Sequence, residues 1–181
     1  MSRLPALTPD QLSPEQKRLH DEIAGPRGGS VGGPFAVWLR VPSIAEAANR
    51  MGNSLRLEGK LDRRLFELAI LVIARHWSAQ YEWFVHEKAA LAAGLGCDVV
   101  EALRHGRMPS FARHDERLVY DVVSELQQTR TLGQASFDRA LAALGPDLLI
   151  ELVSVIGFYT TAAMMINAFD APVPGGAKPL P

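Results

Sequence analysis

Residues 65–73 constrain this chain more than any other stretch. In the run LFELAILVI, Leu65, Leu68, Ala69, Val72 and Ile73 recur at i, i+3, i+4, i+7 and i+8, a spacing that gathers into one stripe only on an α-helix. Ile70 and Leu71 widen that stripe, so the helix is expected to be covered on most sides. Asp62 stands where a helix cap belongs, with Leu61 and Phe66 as the apolar pair that fixes the entry of the chain. The pattern breaks at His76, Trp77 and Ser78, resumes through Ala79 and Tyr81, and stops at Gly94.

Three polar side chains interrupt this apolar pair of helices. Glu82 and His86 are four residues apart, hence neighbours on one face of the second helix. A carboxylate beside an imidazole holds the ring in one tautomer and favours its protonated form, which makes a proton-transfer pair near neutral pH. Tyr81 opens the same helix, near its positive end. Glu67 lies about two turns before the break, so folding the helices together carries it towards the start of the second.

Glu67, then Ala79-Gln80-Tyr81-Glu82, then His86 together resemble the carboxymuconolactone decarboxylase and alkyl hydroperoxidase D superfamily. Its pattern is a Glu, a Cys-x-x-Cys pair opening the next helix, and a His one turn later. Glu67 and His86 fall on the Glu and the His. Ala79 and Glu82 stand at the two cysteine positions, with Tyr81 at the intervening one that is often His or Tyr. The runs RLFELAILVIAR and YEWFVHEKAALAAGL look like the decarboxylase-like branch without cysteines. The match is densest over residues 61–103, with support from 34–53 and 157–174. It implies an alkyl hydroperoxidase D-like helical fold assembled as a trimer, hexamer or dimer. Phe35 and its following loop are implied as borders of the pocket.

The missing thiols bear on the chemistry. Peroxide reduction in the hydroperoxidase branch needs a thiolate that attacks and a second thiol that resolves it. The chain has one cysteine, Cys97, too far along to replace either, and it reads as a small packing residue near a helix start. A metal is the other rival, because Glu82 and His86 are spaced as two ligands and His76 offers a third. Spacing fixes only two of the three that catalytic zinc wants, so no metal and no cofactor are expected.

With 181 residues, 48% hydrophobic and 22% charged, the chain fits one ordinary globular domain. A net charge of −1 argues against the concentrated basic surface that non-specific nucleic-acid binding needs. No apolar run reads as a membrane span of about 20 residues. The first residues lack a secretory layout. A cytoplasmic setting is the expectation.

In chain order, residues 1–33 read as an arm, a helix capped by Ser13 and Gln16 around Pro14, and a glycine-rich loop, PRGGSVGGP. The arm is expected either to cross a neighbouring subunit or to fold back on its own domain. The loop matches neither phosphate-binding fingerprint and reads as a connection or pocket lid. Residues 34–170 form the helical core. Trp38 is expected in the core or a pocket wall. Ser43 with Glu46, and Asp98 with Glu101, read as capping boxes. Asp115 and Glu116 sit in the first turn of a helix over 113–128, and a helix opening near Ser136 ends at Gly145-Pro146. The next, DLLIELVSVIGFYTTAAMMINAFD, is apolar on nearly every side and is expected to be central, although Glu151 and Asn167 argue against a membrane. Residues 171–181 read as an extended or disordered tail.

No alternating run bounded by hairpin turns occurs, so the chain reads as a single all-α domain, 1–181, of about seven or eight helices. The function expected is that of a carboxymuconolactone decarboxylase-like lyase acting on a small organic acid or lactone by proton transfer. His86 is the acid or base, Glu82 or Glu67 orients it, and Tyr81 donates to an oxyanion. Two alternatives stand beside it: a cysteine-independent, peroxidase-related antioxidant protein, and a non-catalytic helical module that binds a small ligand. Partners are a small-molecule substrate and further copies of the chain, with no nucleic acid or membrane.

Overall fold

The computed structural model describes residues 2–181; Met1, the first residue of the arm, lies outside the described residues. Eight α-helices and no strand occur among them: α1 (Pro14–Ala24), α2 (Pro34–Trp38), α3 (Pro42–Asn53), α4 (Arg63–His76), α5 (Gln80–Ala92), α6 (Cys97–Arg104), α7 (His114–Thr129) and α8 (Gln134–Phe169). A π-helical turn, Ser54–Glu58, extends α3.

The central element is α4, every residue of which from Arg64 to Ala74 is buried. It packs against α5, α7 and α8, as the breadth of its apolar stripe requires. Asp62 caps it by accepting from the Arg64 and Leu65 amides. Upstream, the Glu151 carboxylate of α8 accepts from the Lys60 and Leu61 amides at 2.9 and 3.0 Å, which fixes where α4 begins. Arg64, only 7% exposed, reaches Glu116 at 2.7 Å and Asp115 at 2.8 Å on α7. The two acids expected to favour a helix start therefore also clamp α7 onto α4.

After His76 the chain reverses through Trp77, Ser78 and Ala79, with Ser78 left-handed at φ 51°. Three polar contacts hold this reversal: the Trp77 indole donates to Gln127 at 2.9 Å, Gln127 donates to Thr160 at 2.6 Å, and Asn167 donates to the Trp77 carbonyl at 2.6 Å. They tie the turn between α4 and α5 to α7 and α8.

Several expectations are corrected. The last helix is not enclosed: Leu149, Leu152, Val155, Ile156, Tyr159, Ala162, Ala163 and Ile166 face the core, while Ile150, Val153 and Met164 are exposed. It is continuous with the helix before it except at Gly145, whose φ of 72° breaks the run ahead of Pro146. By length and composition alone Gln134–Phe169 is apolar enough to cross a membrane, contrary to the sequence reading, yet here it packs against α4, α7 and α2. Neither later capping box forms. Pro42 starts α3 two residues earlier than a Ser43 cap would, with Val41 at the cap, and Glu46 pairs with Arg18 instead. Gly96 caps α6, and Glu101 turns to Arg104 and His105. Ser136 lies inside α8, whose cap is Gly133.

Both ends are docked. The arm folds back, with the Arg3 amide donating to the Phe169 carbonyl and the Arg40 guanidinium to Pro5. The tail is extended but held: Gln80 pairs with both backbone groups of Leu180, Arg104 donates to the Pro179 carbonyl at 2.6 Å, and Leu180 is buried.

Candidate active site

The α4–α5 hairpin brings together two of the residues expected to act. His86 Nδ1 lies 2.7 Å from Glu67 Oε2. Glu67 is fully buried and His86 nearly so. A carboxylate can only accept, so Nδ1 carries the proton in this contact and Nε2 is left with the lone pair. Arg63 Nη2 stands 2.5 Å from Oε1 of the same carboxylate and supplies its counter-ion. That approach is an ion pair by distance, but its angle makes no hydrogen bond, so Oε1 remains without one. The Tyr159 ring meets the imidazole edge-to-face at 5.2 Å and 88°, and Phe66 packs edge-to-face with Tyr159 at 5.7 Å.

His86 opens into a hollow of about 380 Å³, a volume suited to a small organic molecule. Tyr81, Glu82, Val85 and His86 of α5 form one wall; Phe158, Tyr159, Ala162 and Ile166 of α8 form another. Phe35 and Trp38 of α2, Gly52 and Arg56 near the end of α3, and the glycine-rich loop close it. That loop borders the hollow as expected and is pressed against Tyr81: a Cβ on Gly32 would lie 2.5 Å from the Tyr81 hydroxyl, and one on Gly33 2.3 Å from the ring. Gly33 also has φ 56°, a left-handed backbone suited to glycine.

Glu82 does not behave as its spacing suggests. It lines the hollow, but no hydrogen bond or ion pair joins it to His86; Nδ1 is taken by Glu67 arriving from α4. Glu82 is 4% exposed and its Oε2 has no hydrogen-bond partner. Burial pushes its carboxyl well above the usual carboxylate range, which favours the protonated form. It makes no ion pair with Arg75 or Lys88 either.

Sequence reasoning missed two residues here. Tyr159 was hidden in an apolar run; burial, opposed by Arg56, raises its hydroxyl far above the ordinary phenol value, so it persists as a donor. Arg56 lay in an unremarkable charged stretch, and its one signal is the π-helical turn, a feature often found at functional sites. His76 lines a different hollow with Arg75 and Tyr120, and no three metal-ligating side chains gather among the described residues. Cys97 is exposed, not packed as expected, and stands outside the lining of the hollow. A second, more open trough of about 600 Å³ between α3 and α8 is lined by Ile44, Met51, Phe158 and other uncharged residues.

The site is thus a helical hairpin that presents an acid-held histidine to a part-open hollow, on an all-α scaffold without paired thiols. Residues 42–114 match the carboxymuconolactone decarboxylase family model. The matched stretch runs from the start of α3 to the start of α7 and includes Glu67, Tyr81, Glu82 and His86. Among solved structures it is similar to an uncharacterized peroxidase-related protein from Silicibacter sp. TM1040, with a TM-score of 0.72 and 19% identity over 93% of this chain and 88% of that one. At that identity the likeness speaks to the fold. No curated protein sequence matches the chain.

Proposed function

We propose that the chain is a decarboxylase-like enzyme that moves a proton on a small organic acid or lactone. The contact of 2.7 Å between His86 and Glu67 at the wall of the hollow carries this reading. With Nδ1–H donated to Glu67, Nε2 serves as general base, and as general acid once protonated. In decarboxylation the bond from carbon to the leaving carboxylate breaks, its electron pair enters an enolate, and carbon dioxide departs. His86 then delivers a proton to that carbon and regains one from water. Tyr81 is assigned to the enolate oxygen, where a donor placed in advance costs no reorganisation. Glu67 orients the ring and balances the imidazolium charge.

Two-cysteine peroxide reduction lacks support at the site, because Cys97 is exposed, outside the hollow, and the chain's one cysteine; the cysteine-independent, peroxidase-related alternative would be favoured by peroxidase activity that persists in Cys97→Ser with an added reductant. A cytoplasmic setting fits this reading. So does association with further copies through the exposed Ile150, Val153 and Met164 of α8; a monomeric mass by light scattering would remove that part.

The test is turnover of carboxylated lactones and β-keto acids by the wild-type chain and by His86→Ala. Loss of roughly 10²–10⁴ in rate is expected for the variant, the usual worth of a general acid or base. Unchanged turnover in His86→Ala would overturn the reading. Binding of a small acid with no turnover at all would assign the chain to the non-catalytic module instead.

A further inference from the structure

Among the described residues that line the hollow, Arg56 carries a positive charge with no partner in the protein. Arg56 lines it from the π-helical turn Ser54–Glu58 and forms neither a salt bridge nor a side-chain hydrogen bond among the described residues. The other charged groups nearby are accounted for. Glu67 has Arg63 as its counter-ion. Glu82, 4% exposed, makes no ion pair among the described residues and its Oε2 is unpartnered, and a carboxyl so placed favours keeping its proton over bearing an unpaired buried charge. Arg56, Glu82 and Tyr159 all line this one hollow.

We propose that Arg56 and Glu82 form an anchor for a single carboxylate of the substrate, the guanidinium supplying the charge and the Glu82 carboxyl donating its proton to one carboxylate oxygen. This rests on the proton-transfer reading of the same site and names the handle by which that site holds its substrate. A guanidinium and a neutral acid together carry one positive charge, so one carboxylate leaves the enclosed site balanced. Both are donors, so they match a carboxylate's acceptor-only oxygens. Phe35, Trp38 and Phe158 supply an apolar enclosure for the rest of the molecule.

The anchored carboxylate is one retained in the product. Binding the departing carboxylate to a guanidinium would stabilise the starting anion more than the transition state, in which that charge moves away, and so slow the reaction. The substrate class is therefore a small acid with an apolar body and a permanent carboxylate, carrying its reacting carbon at the His86 end.

Isothermal titration of the full chain with benzoate, cinnamate and cyclohexanecarboxylate, each against its methyl ester, tests the anchor without requiring turnover. At least one acid should bind about tenfold or more tightly than its ester, since a charge-assisted hydrogen bond is worth roughly ten- to a hundredfold in affinity. Arg56→Gln should remove that preference while leaving ester binding unchanged, and Arg56→Lys should restore part of it. Glu82→Gln, which keeps a neutral donor of the same shape, should retain acid binding, whereas Glu82→Met should weaken it by about tenfold. Circular dichroism of each variant separates lost binding from lost fold. Equal binding of acids and esters, binding of none of the acids, or an acid preference that survives Arg56→Gln would overturn the anchor. If the selectivity holds but no acid is turned over, the anchor stands and the proton-transfer reading falls. If turnover depends on His86 but the selectivity is absent, the anchor alone falls.

Discussion

Glu67 and His86, nineteen residues apart in sequence, meet at 2.7 Å because α4 and α5 form a hairpin. The acid comes from the most deeply buried helix and the imidazole from the wall of the hollow. Glu67→Gln preserves the shape of the acid and removes the charge that supports the imidazolium. Steady-state kinetics on any substrate found should show kcat falling by roughly 10²-fold or more with KM little changed, the pattern of an interaction that matters only in the transition state.

Glu82 should make folding stability fall as pH rises. Burial raises its carboxyl well above the ordinary value, so between the unfolded and folded pKa values the folded chain binds the proton and the unfolded chain does not. More protons bound in the native state means stability declines with pH across that window. Denaturant midpoints compared between wild type and Glu82→Gln should therefore converge towards the acid end, with wild type losing ground to the variant as pH increases.

Gly33→Ala should be costly at one methyl group. The new Cβ would stand 2.3 Å from the Tyr81 ring on a backbone at φ 56°, so both the turn and the ring must shift. Thermal unfolding should show a loss of about 1–3 kcal/mol, from left-handed strain and overpacking. Binding in the hollow should weaken too, since Tyr81 forms part of its wall.

The clamp between α4 and α7 gives the largest stability effect expected. Arg64→Met leaves Glu116, 4% exposed, without the guanidinium at 2.7 Å. An uncompensated buried charge typically costs about 3–5 kcal/mol. Arg64→Met with Glu116→Leu should recover much of that in chemical denaturation, because the pair is then replaced by apolar contact.

What was legible in the sequence follows the physics of each signal. Periodicity placed α4 and α5, and Asp62 did cap as its position indicates, because both depend on residues within two turns. The choice of partner for His86 was not legible: i, i+4 spacing makes Glu82 a neighbour, but which carboxylate reaches the ring depends on how the adjacent helix is aligned. The tail's composition reads as extended or disordered, and what holds it is not legible there: Gln80 and Arg104, 75 or more positions away, bind it. Arg56 had no local pattern at all. Its place in the hollow comes from a π-helical turn, which needs coordinates to be seen.

The most direct measurement is nitrogen-15 NMR of the His86 ring in the wild-type chain, at a pH where the imidazole is neutral. Predicted is one tautomer, protonated on Nδ1 and hydrogen-bonded to Glu67, with an unprotonated Nε2 whose shift responds to benzoate in the hollow. A ring protonated on Nε2, or an averaged pair of shifts that benzoate does not move, would contradict it.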